Sequence, residues 1–162
     1  MLDQRILRHA DLLVDYCTAV RPGDWVCVRA DVQALPLVEA VVERILRAGG
    51  HPSVQLQADV LREIILKHAS EAQLQWCSPA ETLLSEQLDA RIVIQAPSNT
   101  RGLTGVDPEK QRLQQNAERE VRQNYTQRTA DGKHRWALTV HPCNAFAQEA
   151  DMSLDEYADF VY

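Results

Sequence analysis

The side chains able to bind a metal ion or move a proton are spread along the chain rather than gathered into motifs. Its five histidines are His9, His51, His68, His134 and His141. No two of them stand at HxH or HExxH spacing, which sets paired imidazoles on one face to grip zinc. The four cysteines, Cys17, Cys27, Cys77 and Cys143, form no CxxC pair. Cys27 alternates within an apolar run and Cys17 closes an apolar helix stripe, so buried free thiols are expected in place of disulfides or metal ligands. No GxSxG elbow is present. Ala30-Asp31-Val32-Gln33 stands where a phosphate loop would need glycines to bring backbone N–H groups against the anion.

Position selects a few candidates. In an open parallel sheet, ligands bind beyond the carboxyl ends of the strands. The ends expected here carry Asp31, Asp59, the run Ser98-Asn99-Thr100-Arg101, and His141. Asp31 and Asp59 each follow a strand and precede a helix. A carboxylate there caps free N–H groups and favours the helix dipole, which outweighs catalysis as an explanation. Asn99 and Arg101 lie in a long loop, the kind of segment that carries function more often than a short one. His141 precedes Pro142 at a strand end, where a lone imidazole more often fixes structure than abstracts a proton.

The elements that must position these residues follow from periodicity. Ile6, Leu7, Ala10, Leu13, Val14 and Cys17 recur at helical steps and predict a helix over 3–20. Arg21-Pro22-Gly23-Asp24 is a turn before the strand Trp25–Ala30. Pro36 opens a second helix with Leu37, Val38, Val41, Val42, Ile45 and Leu46 on its buried face, and Ala48-Gly49-Gly50 ends it. The strand Pro52–Gln57 completes a βαβ unit. Helical pieces follow over 60–88, with Val60, Leu61, Ile64 and Ile65 on one face and a cap at Ser70. A β-branched, uncharged strand over 92–96 is expected at the sheet centre.

Asp107-Pro108 opens a long polar helix to about Ala130, with a narrow seam of Leu113, Ala117, Val121 and Tyr125. A fourth strand, Trp136–Val140, and a short helix from Asn144 to Glu149 come next. Ser153-Leu154-Asp155-Glu156 reads as a capping box for a last helix that ends in apolar and aromatic residues at Tyr162. Alternating strands and helices predict a single α/β domain, an open, mostly parallel sheet with helices on both faces in a Rossmann-like three-layer arrangement.

Bulk properties narrow the classes. The 162 residues suit one domain, and 45% hydrophobic with 25% charged residues suffices for a core. A net charge of −6 argues against nucleic acid and against anionic membrane surfaces. The opening MLDQRILRHADLLVDY lacks the apolar core of a signal peptide, and a cytoplasmic protein is expected.

Several phrases carry a resemblance. Arg21-Pro22-Gly23-Asp24 before a strand, then a helix ending in Ala48-Gly49-Gly50, is one. Ala96-Pro97-Ser98-Asn99-Thr100-Arg101, followed by Gly105-Val106-Asp107-Pro108-Glu109, is another. The strongest is Ala147-Gln148-Glu149-Ala150-Asp151-Met152-Ser153-Leu154-Asp155-Glu156-Tyr157. Together they resemble the amino-terminal part of the thermophilic metallo-aminopeptidases, the aminopeptidase T and aminopeptidase S type.

The resemblance implies removal of amino-terminal residues from peptide substrates by a homodimer. It also implies two divalent ions, cobalt, zinc or magnesium, held by ligands in a carboxy-terminal domain. No position here matches those ligands, so residues 1–162 are expected to be the amino-terminal domain without the catalytic one, and inactive alone. Ser98, Asn99, Thr100, Arg101 and His141 are the expected wall of a substrate cavity. A freestanding α/β binding module for a small molecule or protein is the alternative. A small hydrolase built on His141 is disfavoured because no nucleophile motif accompanies it.

Overall fold

A computed structural model describes residues 3–162; Met1 and Leu2, part of the opening stretch read above, lie outside the described residues. Four strands form one sheet: β1 (Trp25–Asp31), β2 (His51–Gln57), β3 (Ala90–Gln95) and β4 (Arg135–Val140), in the order β2-β1-β3-β4. Every pairing is parallel, with Val28 opposite Val54 and Ile92, and Ile92 opposite Ala137. The apolar run at β3 lies inside the sheet, between β1 and β4, as a strand buried on both faces should.

Strand alternation sends two sets of side chains to opposite faces. Val26, Val28, Ala30, Ile92 and Ile94 meet α1 (Gln4–Asp11) and α2 (Leu35–Arg47), forming the main core with Ala10, Leu37, Val41 and Ile45. Cys27 points the other way and joins Leu84 of α5 (Pro79–Gln87), Leu88 just after it, and Val121 and Tyr125 of α7 (Arg119–Ala130). The sheet is therefore covered on both sides, and the expected three-layer α/β architecture holds. A third small cluster of Leu66, Leu74 and Val106 ties α3 (Asp59–His68) and α4 (Glu71–Leu74) to α6 (Pro108–Ala117).

Several local expectations are corrected. The first helix is regular only to Asp11; Leu12–Cys17 widens into a π-helix, and Thr18, fully buried, donates its hydroxyl to the Leu13 carbonyl at 2.8 Å. That widened turn rotates Cys17 out, so it is exposed while Cys27 and Cys143 are buried. The polar helix expected from 107 to 130 breaks at Glu118, between α6 and α7. Its apolar seam serves two masters: Leu113 packs on the Leu66 cluster, whereas Val121 and Tyr125 pack on the sheet. One straight helix cannot reach both. On α3 the face of Val60, Leu61, Ile64 and Ile65 is half exposed, and Leu66 is the buried residue. Leu46 likewise turns outward on α2.

The family-like phrases fall at joints of the fold. Gly49, at φ +83°, lies against Pro22, and its carbonyl accepts the Gly23 N–H at 2.9 Å. The first turn and the end of α2 are thus one unit. In the last phrase, Asp151 takes a left-handed conformation, φ 55°, and Met152 donates to the Ala147 carbonyl at 2.9 Å, closing α8 (Asn144–Glu149). Ser153 and Glu156 then form the expected capping box of α9 (Leu154–Val161).

Candidate functional site

The chain leaves β1 on one side for β2 and returns on the other for β3, so the sheet's switch point lies between the carboxyl ends of β1 and β3. Asp31 spans it. One carboxylate oxygen accepts the Ala96 N–H at 2.7 Å, and the other accepts the Gln57 amide at 3.1 Å. At 8% exposure this group joins the ends of three strands. It makes no helix-capping bond, contrary to expectation, because the buried Ala96 N–H leaves the β-ladder without another acceptor and claims it.

Asp59 does the same for the loop beyond β3. It sits in the first turn of α3, where a carboxylate suits the dipole. Its hydrogen bonds, however, go to the Ser98 N–H at 2.6 Å, the Ser98 hydroxyl at 2.8 Å and the Asn99 N–H at 3.1 Å. Partial burial alone would raise the Asp59 pKa; the bonds from Asn99 and Ser98 outweigh it and hold the group below its ordinary value. Asn99 in turn accepts the Arg101 N–H at 2.9 Å through its side chain, an Asx turn. Thr100 donates to Glu149 of α8 at 2.7 Å, and Arg101 reaches the same carboxylate at a loose 3.4 Å.

Four of the five residues expected at the site therefore form one constellation, Ser98 through Arg101, clamped from below by Asp59 and from the side by Glu149. His141 belongs to another. Its N–H pairs with the Gln95 carbonyl, and its ring meets the Tyr162 hydroxyl at 2.6 Å. Tyr162 also stands edge-on to His9, with centroids 5.4 Å apart, and His9 bonds Thr139. Burial, then the neighbouring His9, lowers the His141 pKa, and burial with the Asp3 charge pushes Tyr162 up to about 12. The ring and the phenol are both neutral near neutrality and share a short hydrogen bond.

The loop can orient a polar ligand but has no acid–base pair. Its backbone is fixed, whereas the Arg101 side chain is 78% exposed and only weakly paired, so it can turn toward an incoming carboxylate. Among the described residues no three His, Cys, Asp or Glu side chains gather as a metal ion would require. These residues do not fit a divalent metal pair.

The model of the thermophilic metalloprotease (M29) family matches residues 2–162. The chain belongs to the M29 family. Among solved structures, wild-type AmpT from Thermus thermophilus superposes with a TM-score of 0.76 at 20% sequence identity. That likeness extends over 100% of this chain and 42% of the AmpT chain, and at such identity it speaks to the fold. No curated protein matches. This M29 chain thus spans less than half the length of the solved relative, and its own residues carry the scaffold described above.

Sequence reasoning missed Glu149, which lies within a family-like phrase yet is joined to the loop only by tertiary structure. It also missed Arg91 and His134, which line one cavity on the α7 side of the sheet. The alternation of Arg91 with Ile92 and Ile94 was the available signal for a charged side chain on that face.

Proposed function

We propose that this chain is the amino-terminal domain of a metal-dependent aminopeptidase, a hydrolase that releases amino-terminal residues from peptides. The carrying observation is the M29 match along residues 2–162 together with coverage of only 42% of AmpT. In this reading two divalent ions, cobalt, zinc or magnesium, are held by a carboxy-terminal domain, where they activate water and polarise the scissile carbonyl. The whole enzyme works as a cytoplasmic homodimer. Among the described residues no helix is long and apolar enough to cross a membrane, which accords with that setting.

The part of this domain is to wall the substrate cavity with Ser98, Asn99, Thr100 and Arg101. Support comes from the position of the loop, beyond the carboxyl end of β3, and from its clamped backbone, which leaves the Arg101 guanidinium free to meet a peptide carboxylate. His141 follows β4, the strand next to β3, and its Nδ1 bonds the Tyr162 hydroxyl.

The test is a peptidase assay of the protein encoded by the complete reading frame, beside the 162-residue chain. Metal-stimulated release of amino-terminal residues should belong to the former alone. In the longer protein Asn99→Ala with Arg101→Ala should raise KM about tenfold, the loss of one charge-assisted contact. Unchanged peptide kinetics would remove the loop from the cavity, and activity of the isolated chain would reverse the domain assignment.

A further inference from the structure

Apart from the loop beyond β3, a concave site lies on the face of the sheet that packs against α7. The cavity has a volume of about 1030 Å³. Its charged lining is Arg29, Arg91 and Arg122 against Glu81 and Glu118, which leaves one positive charge in a chain whose net charge is −6. Arg29 pairs with Glu81, and Arg122 with Glu118. Among the described residues Arg91 has no carboxylate partner. Its Cζ lies 4.1 Å from the centroid of the Tyr125 ring, and its buried Nε has no hydrogen-bond partner.

His134 supplies an independent sign. It is only 2% exposed, lines the same cavity, and bonds Thr129 through Nδ1 at 3.0 Å, while its Nε2 has no partner. A buried polar atom without a partner is costly in a folded chain and marks a place built for something else. The Tyr125 and His134 rings stand 4.9 Å apart, and Trp136, 53% exposed, forms a further aromatic wall.

From these observations we infer that this cavity binds a small planar monoanion, an aromatic carboxylate being the matching chemistry. The carboxylate lies in the fork of Arg91 and cancels the surplus charge, which a guanidinium does better than a point charge. The planar body rests against the exposed Trp136 ring. The His134 Nε2 gains a polar neighbour at the cavity wall. None of this depends on the proposed peptidase role.

Benzoate titrated into the 162-residue chain, followed by the NMR resonances of the His134 ring and the Trp136 indole, tests the site. Both resonances should move saturably at millimolar benzoate. Benzamide, which keeps the ring and lacks the charge, and acetate, which keeps the charge and lacks the ring, should each bind at least about tenfold more weakly. Arg91→Gln should weaken benzoate at least about tenfold, with Arg91→Lys in between. Resonances unmoved by benzoate, benzamide or acetate binding equally well, or a folded Arg91→Gln with undiminished affinity would each overturn the inference. Should Arg91→Gln fail to fold, Trp136→Ser at its exposed position decides: affinity equal to wild type refutes the aromatic wall.

Discussion

His134 shows how much one buried side chain can bind a fold to pH. Burial first, then the charges of Arg91, Arg128 and Arg135, lower its pKa from 6.5 to about 4, with Asp89 opposing. Above pH 6.5 neither the folded nor the unfolded chain holds the proton, and the contribution to stability is complete. As pH falls from 6.5 toward 4, the unfolded chain takes up a proton that the folded one refuses, so stability is lost across that window. The full loss is about 3 kcal/mol for a depression of this size. Urea unfolding of wild type and His134→Gln at a series of pH values checks it. The stability difference between them should shrink by that amount from neutrality to pH 4, and a constant difference would contradict the buried neutral imidazole. Residues of this kind were poorly legible in the sequence. His134 follows a turn and precedes a strand like many solvated histidines, and only packing against Tyr125 makes it special.

At the scale of elements, the sequence announced most joints because joints depend on local chemistry. Pro36, Ser70, Asp107-Pro108 and Ser153-Glu156 all lie at helix starts, since caps and prolines act within one turn. Where an element's course depended on distant partners, local pattern failed, as with the break at Glu118 and the outward face of α3. The joint between Gly49 and Pro22 offers a sharp comparison. Gly23 and Gly49 both have positive φ, but a Cβ on Gly23 meets open space, whereas one on Gly49 lies 3.2 Å from Pro22. Gly23→Ala should cost about 1 kcal/mol for the backbone conformation alone. Gly49→Ala should cost about 1 kcal/mol more, because Pro22 belongs to a rigid turn that must move. Thermal denaturation of the two variants measures the gap, and equal costs would mean that the turn yields freely.

For the whole molecule, the consequence of scattered ligands is direct. Among the described residues no three candidate donors converge, so cobalt or zinc titrated into the 162-residue chain should show no tight stoichiometric site by calorimetry. A micromolar site of unit stoichiometry would mean that donors gather in solution. The all-parallel sheet itself puts the carboxyl ends of β1, β2 and β3 on one side, and that is where Asp31 and Asp59 act as clamps.

The sequence by itself determined the alternation of strands and helices, their caps and turns, the α/β class and the kinship carried by phrases at the joints. These rest on periodicity and on short-range bonding, both of which a linear string records. Only the tertiary structure decided that Asp31 joins strand ends and Asp59 holds the loop beyond β3 rather than cap helices, that His141 bonds Tyr162, and that Arg91 and His134 share a cavity. Those pairings join residues far apart along the chain, and hydrogen-bond partners at such separations are chosen by strand order and packing, which no local spacing encodes.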